Sequence, residues 1–319
     1  MEKGYSGASA PISRTFFDKE NQCEYLFNES VPFWHMFTPG NLTTLLFTND
    51  EEFGFGMNLM GICADRNPML KIYTFELMNN HLHCILSGDK KCCEDLFNMY
   101  QTRLQRYLAI TGRVVELSAF KVSLLSIPDL HALRNEIVYV NRNGYLVKPS
   151  YTPFSYIWGA GYLYFNPIYE VLPSVTFNSL SIREKRNLCR SRDVAMSDRI
   201  RVLNHIILPS SFCYIKEGEC FFRDAHHYFN LLSKNYEAYS EIAKRLKDSV
   251  FLSDEEMFSA VQSMCLKSHN LSKPVLLPSA AKIDIAKKMH YDYNASNKQI
   301  QRILKIDAGI IESLFPKVL

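Results

Sequence analysis

Two histidines stand two residues apart in the segment ELMNNHLHCIL, which spans Glu76–Leu86. Side chains alternate along a β-strand, so His81 and His83 would share one face, about 7 Å apart. Two imidazoles at this spacing can reach one divalent metal ion. The same pattern also suits two histidines on the half-exposed polar face of a hairpin, and the spacing alone leaves both interpretations open.

A tyrosine and an asparagine form a second pair with chemical potential. Apolar residues recur with helical spacing in the segment Asp129–Asn143, and this predicts a helix that stops at Gly144. Tyr139 lies about 130° from the centre of the apolar stripe, and Asn143 follows one turn later on the same face. Tyr139 is therefore either a surface side chain or a phenol that serves as a nucleophile.

The composition is that of a globular protein able to bury a core. The chain has 319 residues, of which 47% are hydrophobic and 22% charged, with a formal net charge of +3. It has no long apolar run and no apolar N-terminal segment typical of a signal peptide, so we expect no membrane span and a cytoplasmic location. Its nine cysteines lack zinc-finger spacing, which predicts buried thiols.

The order of predicted elements indicates an α+β domain followed by helices. Residues 31–150 read as β-α-β-β-α-β-α, which predicts a ferredoxin-like antiparallel sheet with helices. We expect residues 1–30 to be an irregular extension and 151–180 to be an extended connector rich in aromatic residues and proline. Residues 181–319 are expected to form an all-α C-terminal domain with a helix-turn-helix at about 282–305.

Three motifs, in order, resemble one family of enzymes. LLFTNDEEF, IYTFELMNNHLHCIL and IVYVNRNGYLV resemble the IS200-like transposases with one catalytic tyrosine, and most of all the REP-associated tyrosine transposases. His-Leu-His fits their histidine–hydrophobic–histidine (HUH) motif. The resemblance covers roughly Pro32 to Trp158. The chain departs from the family at Asn79, where proline is usual, and lacks the proline that commonly follows the asparagine of the tyrosine motif.

The resemblance implies a fold of the HUH nuclease type and a transesterification on single-stranded DNA. Tyr139 would be the nucleophile that forms a 5′-phosphotyrosine, and the ligands of Mg²⁺ or Mn²⁺ would be His81, His83 and Asn143. The expected substrate is a hairpin-forming single strand. Members of the wider family that dimerise exchange their tyrosine helices, whereas the REP-associated type acts as a monomer, so monomer and homodimer both stay open.

Other residues are weaker candidates for the same site. Tyr145 and Tyr151 are alternative nucleophiles that follow the predicted helix. His35, on the first strand, and His131, on the tyrosine helix, are candidates for lining the cleft. A strand histidine bonded to a neighbour would explain His35 equally well.

Two basic segments and the connector are candidates for DNA contact. The residues expected to meet phosphates are Arg183, Lys185, Arg186 and Arg190 in SIREKRNLCRSRD and Lys298, Gln301 and Arg302 in the helix-turn-helix. Asn297 and Lys305 are also expected to point outward. Solvated helix faces and plain structural hairpins show the same patterns. Tyr151, Phe154, Tyr156 and Trp158 could stack on bases, although packing inside a protein is the commoner use of such residues.

Two alternatives to the enzyme come from other classes of protein. One is a DNA-binding or regulatory protein that keeps this fold and has lost turnover. The other is a metal-dependent RNA-binding or RNA-processing protein. The joint presence of His81, His83, Tyr139 and Asn143 favours the enzyme.

Overall fold

The structure, a computed structural model, describes residues 12–18, 23–29, 32–40, 45–113, 115, 117–145, 152–234, 236–246 and 252–316. It is a mixed α+β structure in which the strands pair antiparallel. The chain forms two compact units that divide after Tyr228. This division lies further along the chain than residue 181, where the helical domain was expected to begin.

Strands are confined to the first unit, as far as the described residues go. They are β1 (Ile12–Asp18), β2 (Cys23–Glu29), β3 (Phe33–Phe37), β4 (Lys71–Leu77), β5 (Leu82–Ser87), β6 (Ser123–Ile127), β7 (Val175–Thr176), β8 (Arg201–Leu203) and β9 (Ile206–Ile207). The helices are α1 (Asp50–Arg66), α2 (Lys90–Ile110), α3 (Leu130–Tyr145), α4 (Ile182–Cys189), α5 (Ile215–Cys220), α6 (Ala225–Lys234), α7 (Tyr236–Leu246), α8 (Asp254–His269), α9 (Ser279–Tyr293), α10 (Asn297–Leu304) and α11 (Ala308–Leu314).

The main sheet has the strand order β4-β5-β3-β6, and every neighbouring pair is antiparallel. From β3 to α3 the chain runs β-α-β-β-α-β-α, as the sequence predicted. Contacts with Leu77 and Glu76, adjacent residues of β4, show which face each helix covers. Leu77 faces α1, because a Cβ on Gly56 of α1 would lie 3.0 Å from it. Glu76 pairs with His83, which contacts Tyr139 of α3, and adjacent residues of a strand point to opposite faces. Helices α1 and α3 therefore cover opposite faces of the sheet.

Local capping explains where several predicted helices begin. Asn49 caps α1 because its side chain accepts a hydrogen bond from Glu52 N–H at 3.0 Å, and Asp129 accepts one from Ala132 N–H ahead of α3. In the second unit the last residue of α9 is followed by the C-cap Asn294, which has a positive φ of 48°, and Ser296 caps α10. The predicted helix-turn-helix is thus present.

Several expectations about irregular or helical segments were wrong. Strands β1 and β2 lie in the segment expected to be irregular. Strand β7 lies in the expected connector, and it pairs with β8, which pairs with β9, in the region where only helices were expected. Helix α3 continues through Gly144 to Tyr145. Tyr145 therefore belongs to the helix, while Tyr151 lies outside the described residues.

The expected connector is instead packed against the edge of the main sheet. Leu77 N–H donates to Trp158 C=O at 2.8 Å, and Ala160 N–H donates to Phe75 C=O at 2.9 Å. An exposed strand edge carries unpaired backbone groups, and this segment satisfies those of β4. It thereby also covers the outer side of α3, where Tyr156 is buried.

Most of the described cysteines are buried free thiols, as predicted. Burial raises the pKa of the Cys63 thiol to about 12, which keeps it protonated and apolar in character. Within the described ranges, none of the helices combines the length and apolar character needed to cross a membrane.

Two glycines of α1 offer a matched test of how closely the small sheet approaches this helix. A Cβ at Gly61 would lie 2.6 Å from Cγ2 of the buried Ile207, whereas one at Gly54 would lie 3.9 Å from Ile206. We expect Gly61→Ala to lower the free energy of unfolding by about 1–3 kcal/mol through overpacking. Gly54→Ala should be neutral or stabilising by up to about 1 kcal/mol, because alanine is the better helix former. Urea unfolding measures both, and equal effects would contradict the close approach.

Candidate active site

A chain of buried hydrogen bonds links the sheet to α3. His35 on β3 is bonded through Nδ1 to Glu136 Oε2 at 2.7 Å and through Nε2 to His83 Nδ1 at 3.0 Å. The three residues are 0–2% exposed. His35, one of the two candidate lining residues, therefore lies in the same cluster as the histidine motif. The partner of His35 on α3, Glu136, was missed by the sequence reasoning.

The carboxylate of Glu136 sets the arrangement of protons along this chain. A carboxylate only accepts hydrogen bonds, so neutral His35 carries its proton on Nδ1 and presents Nε2 as an acceptor. His83 then donates from Nδ1, which leaves the lone pair of His83 on Nε2. Carboxylate–histidine pairs orient metal-binding histidines in the same way.

Tyr139 lies against both histidines of this cluster. Its ring centroid is 5.6 Å from that of His83 and 6.0 Å from that of His35, with edge-to-face geometry in both pairs. The side chain is 3% exposed, so the surface interpretation of Tyr139 is wrong. Residues Asn135–Arg142 of α3 are all buried, and Tyr139 faces the sheet that carries both histidines.

His81 completes a pair of imidazoles beside the tyrosine. It lies one residue before β5, half-buried, with Nδ1 bonded to Asn80 Oδ1 at 2.7 Å. The rings of His81 and His83 are 5.0 Å apart and perpendicular, at 89°. Two imidazoles that share one ion through bonds of about 2.1 Å have ring centres roughly 5 Å apart. The separation of the two rings matches this distance.

The remaining ligands of such an ion would be neutral oxygen donors. Among the described residues, no group of three histidine, cysteine, aspartate or glutamate side chains is arranged to hold a metal. Asn143, the predicted third ligand, is half-buried on α3 one turn beyond Tyr139. Its amide oxygen, together with water, is the type of donor that Mg²⁺ and Mn²⁺ accept.

Glu76 is a buried carboxyl group that the sequence reasoning also missed. It pairs with His83 across β4 and β5, on the face that α3 covers, and is 1% exposed. Gly161 N–H donates to its Oε1 at 3.2 Å, while Oε2 has no hydrogen-bond partner in the described part of the chain. Burial raises the pKa of Glu76 well above its usual range, although the bond from Gly161 acts in the opposite direction.

Glycines leave the space that this carboxyl group occupies. A Cβ at Gly144 would lie 2.8 Å from Glu76 Oε2, and one at Gly161 would lie 2.5 Å from Oε1. Beside them, Thr74 donates to Asn141 Oδ1, and Asn141 Nδ2 donates to Tyr228 Oη at 2.9 Å. The layer between the sheet and α3 is thus polar over several turns of the helix.

His131, the other candidate lining residue, is exposed to solvent, unlike the buried cluster. Its Nε2 accepts a hydrogen bond from Asn135 Nδ2 at 3.2 Å, one turn along α3. Its position therefore gives no support for a role in lining the site.

The predicted DNA-contacting residues are mostly exposed, but several already have partners. Lys185 donates to Asn178 C=O, and Arg190 forms an ion pair with Glu51 at 3.0 Å. Arg183, Arg186, Lys298, Gln301 and Lys305 are exposed. Exposed Arg302 forms an ion pair with Asp254, while Asn297 is half-buried and donates to Phe315 C=O, so the expectation that Asn297 points outward was wrong.

The aromatic residues proposed for base stacking also differ in exposure, and some of them already have partners. Tyr156 is buried and donates to Leu77 C=O at 2.5 Å, and Trp158 stacks on Phe53 with ring centres 5.2 Å apart. Phe154 is 44% exposed and is the described member of the set that is most open to solvent.

Comparison with known proteins assigns no chemistry to this site. No protein-family model matches the chain, and no curated protein or solved structure is significantly similar to it.

Removal of the Glu136 carboxyl should cost stability, because it leaves the buried Nδ1–H of His35 without its acceptor. We expect Glu136→Ala to lower the free energy of unfolding by about 2–4 kcal/mol, and Glu136→Gln, which retains an acceptor oxygen, to cost less. Glu94→Ala is the control, since Glu94 pairs with Lys90 at 4.0 Å on the surface and should change stability by less than about 0.5 kcal/mol. If urea unfolding gave similar values for Glu136→Ala and Glu94→Ala, the buried chain would not hold α3.

The raised pKa of Glu76 predicts a specific dependence of stability on pH. Between the ordinary pKa of glutamate and the raised pKa, the folded protein holds a proton that the unfolded chain has released, so stability falls as pH rises. Glu76→Gln cannot ionise and should remove this fall. We expect the variant to gain at least about 1 kcal/mol over the wild type between pH 5 and pH 8 in urea unfolding. A constant difference between the two proteins would contradict the assignment.

Proposed function

We propose that this protein nicks and rejoins single-stranded DNA, with Tyr139 as the nucleophile. The observation that carries the proposal is the contact of the Tyr139 ring with His83 and His35 in a buried polar cluster. A tyrosine beside a metal-binding pair of histidines is the arrangement that the resemblance to the IS200-like transposases implies. The strand order β4-β5-β3-β6 is that of a ferredoxin-like sheet, which supports a fold of the HUH nuclease type.

The proposed reaction exchanges one phosphodiester for another. The oxygen of Tyr139 attacks phosphorus and loses its proton, while the bond from phosphorus to the 3′-oxygen breaks and that oxygen takes up a proton. The products are a 5′-phosphotyrosine and a free 3′-hydroxyl. Attack by a 3′-hydroxyl on the phosphotyrosine reverses the step and joins the strand without ATP.

His81, His83 and Asn143 are the residues that would hold Mg²⁺ or Mn²⁺. When bound, the ion would polarise the scissile phosphate and stabilise the charge that develops on it. The chain's own contribution is orientation, since Glu136 and His35 fix the ring of His83 and α3 holds Tyr139 against it.

Exposed basic and polar side chains would hold the DNA strand outside the buried cluster. Arg183 and Arg186 on α4, and Lys298, Gln301 and Arg302 on α10, are suited to phosphate contacts. They support a hairpin-forming single strand as the substrate, because such a strand offers both a duplex stem and unpaired bases.

One observation favours the alternative of a DNA-binding protein without turnover. Tyr139 is 3% exposed, so a phosphate reaches its oxygen only if the cluster opens. A protein that binds hairpins through its cations would not need this opening.

A covalent-adduct assay tests the proposal and separates it from this alternative. Wild type, Tyr139→Phe, His83→Ala and the control Tyr291→Phe are incubated with labelled hairpin DNA and Mn²⁺, then denatured. Tyr291 is 69% exposed in the second unit, so its loss should change nothing. We expect label on wild type and Tyr291→Phe alone, because only these two keep both the nucleophile and the histidine pair, and loss of label when the metal is chelated.

Two other outcomes would change the proposal. An adduct that persists in Tyr139→Phe would move the nucleophile to another residue, with Tyr145 at the end of α3 as the first to test. Tight hairpin binding without an adduct in any protein would replace the enzyme by a binding protein.

A further inference from the structure

A cleft of about 480 Å³ opens on the first unit, and its lining comes from α1, α4 and the turn between β8 and β9. One wall is aromatic: Phe55 and Tyr107 stack with ring centres 3.9 Å apart, and Trp158 lies beside them. The polar lining includes two carboxylates, three amides, one imidazole and one guanidinium, which belong to Asp50, Glu51, Asn58, Asn187, Asn204, His205 and Arg190. A cleft of this size accepts one small flat molecule.

The rim of this cleft is fixed by hydrogen bonds. Asn58 on α1 donates to His205 C=O at 2.9 Å and accepts from Ile207 N–H at 2.7 Å. Asn204 and His205 both have positive φ, at 49° and 64°, so they form a tight turn that stands over α1. The cleft is therefore built before any ligand arrives.

A smaller pocket of about 90 Å³ adjoins the cleft and is strongly cationic. The two share Phe55, Tyr107 and Arg190. The described lining of the smaller pocket holds the guanidinium groups of Arg103, Arg106 and Arg190, with Ser191. Arg190 is paired with Glu51 of the adjoining cleft at 3.0 Å, so Arg103 and Arg106 are the groups expected to bind a phosphate. Guanidinium groups in this number are suited to bind a phosphate through charge-assisted hydrogen bonds.

We propose that the cleft and the pocket together bind one nucleotide unit, with the base in the cleft and the phosphate on the arginines. A base is flat and neutral and carries both donors and acceptors, which matches the aromatic wall and the mixed polar rim. An organic cation would be opposed by the three guanidinium groups, and a simple anion would leave the aromatic cleft unused. The proposal goes beyond DNA nicking and does not depend on Tyr139.

Tryptophan fluorescence provides the direct test, because Trp158 lines the cleft. The chain has two tryptophans, Trp34 and Trp158, so Trp34→Phe leaves Trp158 as the reporter. The probes are the four deoxynucleoside monophosphates, the four deoxynucleosides and inorganic phosphate. We expect saturable quenching by the monophosphates and affinities at least about tenfold lower for the nucleosides, which lack the charge that the arginines bind. Calorimetry on the unmodified protein checks the same affinities.

Substitution of Arg106 tests whether the pocket binds the phosphate of the nucleotide. It is exposed on α2, so Arg106→Ala should leave folding intact, weaken monophosphates about tenfold and leave nucleosides unchanged. Arg223→Ala, at another exposed arginine, is the control and should bind as the wild type does. Equal affinities for nucleosides and monophosphates, or monophosphate binding unchanged in Arg106→Ala, would overturn the proposal, as would the absence of saturable binding up to about 10 mM.

A short oligodeoxynucleotide distinguishes the two sources of the nucleotide. If the unit belongs to a single strand, the oligonucleotide should bind more tightly than the monophosphate, and Arg106→Ala should weaken both. If the ligand is a free nucleotide, the oligonucleotide should fail to displace it. Tyr139→Phe should bind as the wild type does in either case, so failure of the nicking proposal would be seen separately.

Discussion

The hydrogen-bonded chain from Glu136 through His35 to His83 is the interaction on which the candidate site depends. Imidazoles and a carboxylate are costly to bury unless each finds a partner, and here one strand supplies the middle of the chain while α3 supplies the end. A slip of α3 by one turn would separate Glu136 from His35. Because Tyr139 follows Glu136 by three residues, one helical step along the same face, the same bond fixes Tyr139 against His83.

A β-bulge and two glycines also allow α3 to lie close to the main sheet. A β-bulge between Ile72 and Thr74 shifts the register of β4, so that Thr74 and Glu76 lie opposite Ile85 and His83. Gly144 and Gly161 leave room for the carboxyl group of Glu76, where any side chain would collide with it. An apolar layer could hold α3 at less cost, so stability alone does not account for the polar residues in this layer.

The sequence predicted elements whose signals are local and failed where burial depends on distant parts of the chain. The helix-turn-helix was predicted because its turn and the cap at Ser296 are encoded within a few residues. Glu136 was missed because a charged residue at helical spacing normally indicates an exposed face. Tyr139 was placed correctly outside the apolar stripe, but it is buried because that side of α3 faces His35 and His83, which lie far away along the chain on two strands of the sheet.

The charge balance of the cluster bears on whether a phosphate can enter it. Glu136 accepts from His35, and burial favours the neutral form of Glu76, so neither carboxyl group presents a bare negative charge to an incoming phosphodiester. His81, at the half-exposed end of the cluster, marks the side from which a DNA strand would approach. The electrostatic barrier to an anion is therefore low, and the proposed nicking reaction would have to overcome the steric enclosure of Tyr139.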